Sequence, residues 1–364
     1  MKKEDIFKAV GGIDDRLISE SAPKKTKFKR QPPPRAMRWL TAAACLCIAA
    51  AVFFGYWLIT PGRLQKMPLN ADRYSGFGAG AHTVLVRDIE EYSTGNPWNS
   101  EMKIKRLPVY KNTQSLSYDD MLSAVRKTAE KTGTEIKSVT GESLPDSEWV
   151  VSENSLYAVR AETDIGQISA FVTGSVSIVF SEPIEGESTG KEAAEFFADK
   201  YSSVIGFKDP VVCIIKDYDV NGRESAEYRI YDGSGNELER VMSYNFESAY
   251  LNINENGGLE SITINSVDGA KKLGNYPTIS LEDAEKLLLG GEHISDSADE
   301  VFGGTVTREK IKKAELVYST DPMDGYFIPY YRFYVELDGS PADGFKKYGE
   351  FDVPAIKSEY IAKQ

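Results

Sequence analysis

One stretch of the chain contains no charged residue for 22 positions, from Trp39 to Thr60. An α-helix of that length spans about 33 Å, enough to cross the roughly 30 Å hydrocarbon core of a bilayer. Trp39 stands at one end and Tyr56 and Trp57 stand near the other, where aromatic side chains favour the membrane surface. The pattern therefore predicts one transmembrane helix over residues 39–60.

Basic residues beside this stretch predict its orientation. Seven of them lie in residues 24–38, directly before the span, whereas Arg63, Lys66 and Arg73 follow it. The positive-inside rule places residues 1–38, a head and basic linker, in the cytoplasm and the C-terminal part outside the cell. A cleaved signal peptide is the alternative, but its apolar region would be shorter and would end in small residues. The predicted location is the cell membrane, with a single pass.

Small side chains recur at every fourth position of the predicted span, at Ala43, Cys47, Ala51 and Gly55. They share one helix face and would let two helices approach closely, so they predict a homodimer formed through the span. An alanine-rich segment also produces such a stripe by chance, and both interpretations stay open.

Residues 1–20 carry apolar side chains close to one face of a helix, interrupted by Gly11 and Gly12. These side chains are too few for a core of their own, so the segment is expected to order on a partner. A head that only targets the protein, without a partner, is the alternative. The predicted partner-binding residues are Ile6, Phe7, Ile13 and Leu17.

The opening KKEDIFKAVGGIDDRLISE, the basic linker and a span containing AAACLCIAA together resemble a family of single-span proteins of Gram-positive bacteria. Members are commonly encoded beside extracytoplasmic-function sigma factors and are regarded as anti-sigma factors. The resemblance implies that the head binds a cytoplasmic sigma factor. The zinc-binding anti-sigma class uses a histidine and paired cysteines in this region, and this head has neither. Sigma binding would then be apolar and electrostatic.

Beyond the span, patterns typical of capping boxes predict helix starts at Ser117, Thr189 and Ser280, each followed by alternating, β-rich sequence. They predict an α+β fold that repeats a helix and an antiparallel meander behind a glycine-rich stalk. ISLEDAEKLLL and the sequence after it resemble PepSY-like domains, which keep some peptidases inactive or sense envelope conditions. The predicted parts are a stalk at 61–116 and three α+β units at 117–186, 187–275 and 276–364.

Charge is unevenly distributed along the chain. Its 364 residues include 43 Lys+Arg and 55 Asp+Glu, a net charge of -12 at pH 7, which argues against nucleic acid as a partner. The head is nevertheless basic, so the part after the span carries the acidic excess. Three cysteines cannot form a disulfide framework, and two histidines do not favour a zinc enzyme.

One short motif is similar to a metal site. Asp217, Asp219 and Asn221, followed by Gly222, match the first six positions of an EF-hand calcium loop. Tyr228 occupies the twelfth position, where that loop needs a bidentate glutamate. A hairpin with an Asn-Gly turn after two solvated aspartates is the simpler interpretation, and calcium stays the minor alternative.

No catalytic motif accompanies these patterns, and we expect no cofactor and no enzymatic activity. HExxH and GxSxG are absent, and Cys213 in an apolar strand is expected to be a buried thiol. The clustered tyrosines Tyr326, Tyr330, Tyr331 and Tyr334 are expected to cover a sheet; an exposed binding face is their alternative use.

Two functional hypotheses follow. In the first, the protein is a membrane-anchored regulator, an anti-sigma factor or envelope sensor that acts by protein–protein binding. In the second, it is an anchored external binding or inhibitory module without a cytoplasmic partner. Deleting residues 1–20 separates them, because only the regulator loses a transcriptional effect.

Overall fold

The computed structural model describes residues 64–68, 83–113, 115–143, 156–186, 188–219, 221–267, 270–295, 305–320, 324–339 and 344–362. The chain divides into two compact units, Met1–Gly62 and Arg63–Gln364, and every described residue belongs to the second unit. The head and the span predicted at 39–60 therefore lie outside the described residues.

The elements are numbered in chain order. The strands are β1 Thr83–Val86, β2 Arg106–Lys111, β3 Ile136–Ser143, β4 Leu156–Thr163, β5 Gly166–Phe171, β6 Val176–Ile184, β7 Pro210–Tyr218, β8 Glu224–Asp232, β9 Glu247–Ile253, β10 Leu259–Ser266, β11 Lys271–Pro277, β12 Ile294–Ser295, β13 Ile311–Tyr318, β14 Tyr326–Phe327, β15 Pro329–Glu336 and β16 Lys346–Pro354. The α-helices are α1 Tyr118–Thr132, α2 Gly190–Lys200, α3 Ser202–Ile205, α4 Glu237–Phe246 and α5 Leu281–Leu289. Short 3-10 helices cover Ile89–Glu91, Arg308–Lys310 and Ser358–Tyr360.

The predicted single-pass membrane location is corrected here. Within the described stretches, no helix combines the length and the apolar character needed to cross a bilayer. The structure therefore does not support a single-pass protein, and that assignment is not retained.

Three antiparallel sheets account for the described strands. The largest has eight strands in the order β3-β4-β5-β6-β10-β9-β8-β7. A second sheet has the order β1-β16-β15-β13, with β12 also paired to β16, and a third has the order β11-β2-β14. Helices α1, α2 and α3 pack on one face of the eight-stranded sheet, and α5 packs on β16.

The predicted fold class, a transmembrane helix followed by repeated helix-and-sheet units, is wrong for this part of the chain. Strands predominate, and the meanders that follow α1 and α2 do not form separate units. They merge into one sheet because β6 pairs with β10, with Ile178 opposite Ile262. Edge strands carry unpaired backbone groups, and this pairing satisfies one edge of each meander.

Part of the predicted stalk also belongs to the sheets. β1 pairs with β16, and β2 pairs with β11 and β14, so residues 83–111 are tied to the C-terminal strands. Met67 is completely buried and forms a bridge with Ile361. Pairing partners some 200 residues away give these short segments a place in the core that their own sequence does not predict.

The predicted helix starts are confirmed. Ser117 accepts a hydrogen bond from the Asp120 amide and closes a capping box with it, and Ser280 caps α5. Thr189 precedes α2 but makes no side-chain capping bond. Helix α4 was not among the predicted helix starts, and an Asn236 capping box begins it.

Buried apolar clusters lie on both of the larger sheets. Beneath α1 and α2, Met121 and Phe197 pack against strand residues such as Ile168 and Ile230, all completely buried. On the second sheet, the tyrosines Tyr330, Tyr331 and Tyr334 are buried as well. They cover that sheet, as expected from the sequence, and are not available as an exposed face.

Candidate functional site

A row of polar side chains crosses the eight-stranded sheet, with one residue from each strand. Neighbouring members are direct cross-strand partners. Because side chains alternate along a strand, this row lies on the face opposite Val159 and Ile178, which are buried beneath the helices. We call it the polar face. From β3 to β7 the row consists of Thr140, Arg160, Ser169, Ser177, Thr263, Tyr250, Arg229 and Cys213.

The hydroxyl groups at the centre of the polar face make only a weak hydrogen bond with each other. Ser177 and Thr263 are half-buried, and their side-chain oxygens lie 3.4 Å apart, near the upper limit of a hydrogen bond. Val179, two residues along β6 from Ser177, is 47% exposed. The centre of this face is therefore open to solvent and rich in donors and acceptors.

Helix α4 covers the other end of the polar face. It packs against β8 and β9, and its Tyr244 ring stands against the Tyr231 ring of β8, with centroids 5.4 Å apart. The Tyr244 hydroxyl donates to the Thr94 carbonyl oxygen over 3.2 Å. Burial raises the pKa of Tyr244 to about 12. A rigid corner results, in which α4 meets the sheet.

The two arginines of the row differ in whether a carboxylate pairs with them. Arg160 forms an ion pair with the Glu142 carboxylate at 2.5 Å. Arg229 forms no ion pair with any carboxylate in the described part of the chain. Glu227, two residues along β8, is the carboxylate nearest in sequence, and burial raises its pKa although Arg229 opposes that shift. The corner beside α4 therefore holds a positive charge that forms no ion pair among the described residues.

The Arg229 guanidinium is held in one position. Its carbon lies 3.9 Å from the Tyr244 ring centroid and 5.6 Å from that of Tyr250, within cation–π distance. Nη2 donates to the Tyr244 carbonyl oxygen, and Nε is buried without a hydrogen bond. An arginine fixed by stacking loses little side-chain entropy when it binds an anion.

A pocket of about 170 Å³ opens beside Arg229. Hydroxyl, amide and apolar groups form its wall, and Arg229 is the charged residue among them. Asn245 and Phe246 come from the end of α4, and Thr320 follows β13. The remaining lining residues are Thr173, Ser175, Ser248, Tyr250, Asn265, Ser266 and Val267. The pocket is thus polar and positively charged.

Most of the site residues predicted from sequence lie elsewhere. Ile6, Phe7, Ile13 and Leu17 of the head, and Ala43, Cys47, Ala51 and Gly55 of the span, fall outside the described residues. Cys213 is a free, half-buried thiol at the end of the polar row, and burial raises its pKa.

The predicted calcium residues lie in the hairpin between β7 and β8. Asp217 is the penultimate residue of β7, and Asp219 Oδ1 accepts the backbone amides of Asn221 and Arg223 at 2.8 and 2.9 Å. Tyr228, at the twelfth position, is buried in the helix-side core. In the described ranges no three histidine, cysteine or acidic side chains come together as a metal site would require.

Arg229 and Tyr250 were missed by motif searching, because no motif contains them. The alternation in AEYRIYD does indicate that Arg229 faces away from Tyr228 and Ile230. Their contact with each other comes from the pairing of β8 with β9, which no local pattern announces.

The chain matches no protein-family model and no curated protein. A 1.45 Å crystal structure of an uncharacterized protein from Eubacterium rectale ATCC 33656 is similar to it, with a TM-score of 0.36 and 10% sequence identity. That match covers 72% of this chain and 86% of the other chain.

Proposed function

We propose that the protein is a regulatory binding protein whose folded unit, Arg63–Gln364, recognises another protein through its polar face. One observation carries this proposal: an in-register polar row crosses all eight strands of a sheet whose opposite face is covered by helices. Hydroxyls and arginine at regular cross-strand spacing provide a rigid set of donors for a partner chain.

The composition of the face supports recognition of a protein. Arginine and tyrosine are enriched where proteins bind one another, and the row contains Arg229 and Tyr250 side by side. Val179 adds an exposed apolar contact near the centre. Because the sheet backbone is already paired, a partner need not reorganise it on binding.

A photo-crosslinking experiment tests the proposal. A benzoylphenylalanine is placed in the full chain at Val179, on the polar face, or at Phe196 of α2 as the control. Phe196 is 42% exposed, close to the 47% of Val179, but it lies on the helix that covers the opposite face. We expect a discrete protein adduct in native cells from position 179 and none from position 196.

The partner recovered from that adduct is then purified and titrated against the full chain. Ser177→Arg combined with Thr263→Arg crowds the centre of the row and should abolish its binding, while Phe196→Ser should leave it unchanged. Equal crosslinking at positions 179 and 196, or undiminished binding by the double variant, would overturn the proposal.

The identity of a second partner rests on the sequence. We propose that Ile6, Phe7, Ile13 and Leu17 bind a sigma factor, as the resemblance of the head implies. The full chain carrying serine at all four positions should fail to recover a sigma factor that the wild-type chain recovers. If deletion of residues 1–20 changes no transcription, the alternative holds, a binding or inhibitory module whose head has no partner.

A further inference from the structure

We propose that the pocket beside Arg229 is an oxyanion site that takes a carboxylate, sulfate or phosphate group. The group comes either from an acidic side chain of the partner or from a small free anion. The first source rests on the proposed function, whereas the second does not.

The first argument is charge. Arg229 is the charged residue in the wall of a pocket of about 170 Å³, and within the described stretches it lies in no ion pair. Arg160, in the same row of the same sheet, is neutralised by Glu142. A half-buried cation in a polar corner is stabilised when an anion of matching geometry binds to it.

The second argument is that the Arg229 guanidinium is fixed and keeps an unused donor. Nη2 of Arg229 is committed to the Tyr244 carbonyl oxygen and Nε is buried, which leaves Nη1 without a hydrogen bond among the described residues. The stack on Tyr244 fixes the plane of the guanidinium. An oxyanion therefore meets a preset donor and does not have to order a mobile side chain.

The third argument is the chemistry of the wall. Thr173 and Ser175, whose hydroxyl oxygens lie 3.0 Å apart, contribute hydroxyl groups, and Asn265 contributes an amide. No carboxylate stands among the described residues that line the pocket. Phe246 and Val267 add apolar groups to the wall. Donors around a fixed arginine, with apolar walls behind them, form a typical setting for binding a single anionic group.

The test uses the full chain, with inorganic phosphate and sulfate as probes in calorimetric titration at constant ionic strength. Asn265→Asp keeps the shape of the pocket but places a carboxylate in it, and Arg229→Gln removes the cation. Each change should weaken anion binding about tenfold or more, because a charge-assisted contact is lost or opposed. Arg308→Gln is the matched control, because this arginine pairs with Glu285 away from the polar face, and it should leave binding unchanged.

Asn265→Asp also separates a loss of anion binding from a loss of folding. The two side chains have nearly the same volume, and the Arg229 contacts with Tyr244 and Tyr250 stay in place. Saturable phosphate or sulfate binding that both pocket variants lose supports a free anion. Absence of such binding, together with a crosslink from position 179 that both pocket variants lose, supports an acidic side chain of the partner.

The inference is overturned if neither anion binds and the crosslink from position 179 persists in both pocket variants. In that case the proposed function survives. If phosphate binds but position 179 yields no adduct, the oxyanion site stands while the proposed protein partner fails. Binding that Arg308→Gln reduces as much as Arg229→Gln would also overturn the assignment to this pocket.

Discussion

Arg332 on β15 and Asp352 on β16 are cross-strand partners joined by two hydrogen bonds. Nε lies 3.0 Å from Oδ1 and Nη2 lies 3.1 Å from Oδ2, and Asp352 is 1% exposed. Glu350 lies 2.8 Å from Nη1 of the same arginine. The two carboxylates hold the pKa of Arg332 above its ordinary value against the opposing effect of burial. One guanidinium therefore neutralises two acids inside the second sheet.

Replacing this arginine should destabilise the protein strongly. Arg332→Met leaves Asp352 and Glu350 close together without their cation, and we expect the free energy of unfolding to fall by about 3–5 kcal/mol. Lys310→Met is the control, because its ion pair with Asp338 lies at the surface and should contribute about 0–1 kcal/mol. Urea unfolding measures both, and equal effects would contradict the prediction.

Ser117, the N-cap residue of α1, should stabilise the protein more than Thr189, which precedes α2. Ser117 closes a full capping box, whereas Thr189 makes no side-chain capping bond. Ser117→Ala should therefore lower the free energy of unfolding by about 1 kcal/mol, and Thr189→Ala should lower it less. Chemical unfolding of both variants measures which loss of unfolding free energy is larger. A larger loss for Thr189→Ala than for Ser117→Ala would contradict the prediction.

Stability should decline in alkaline solution through Tyr244. Its pKa in the folded protein is about 12, above the value of 10.0 for an ordinary tyrosine. Between these values the unfolded chain releases the phenolic proton while the folded protein keeps it, so stability falls as the pH rises from 10 towards 12.

Tyr244→Phe isolates this contribution, because phenylalanine cannot ionise and the other tyrosines remain. The difference in unfolding free energy between wild type and variant should shrink as the pH rises from 9 to 12. Urea unfolding at several pH values provides the measurement. A difference that stays constant over that range would show that Tyr244 does not resist ionisation.

The hairpin between β7 and β8 should depend on Asp219 and not on calcium. Asp219→Ala removes the acceptor of two backbone amides and should lower the free energy of unfolding. Calcium should leave the melting temperature of the wild type unchanged, with magnesium as the control for ionic strength. A rise in melting temperature specific to calcium would favour the EF-hand-like alternative.

Local features of the fold follow directly from the sequence. Ser117 and Ser280 begin helices, and the hairpin turn at Asn221-Gly222 forms where the pattern predicts it. A second Asn-Gly turn, at Asn256-Gly257, joins β9 to β10. Gly222 and Gly257 have φ values of 74° and 83°, a conformation that glycine adopts without strain. These features depend on residues a few positions apart, so the sequence contains all the information that they need.

Other elements depend on distant partners and were not predictable. β1 and β2 were assigned to a stalk because four or six residues carry little signal, and their place comes from pairing with β16 and β11. α4 is a different case: it was missed by the sequence analysis although a local capping box at Asn236 begins it.

The candidate site also combines features set by the local sequence with features set by contacts between distant segments. By itself, the sequence determined that strand residues alternate between apolar and polar, and hence that Arg160 and Arg229 lie on a polar face. Only the tertiary structure decided that eight such residues form one row, that Glu142 neutralises Arg160, and that α4 closes a pocket beside Arg229. The physical reason is that periodicity is a property of one strand, whereas register and charge pairing belong to segments that meet only after folding.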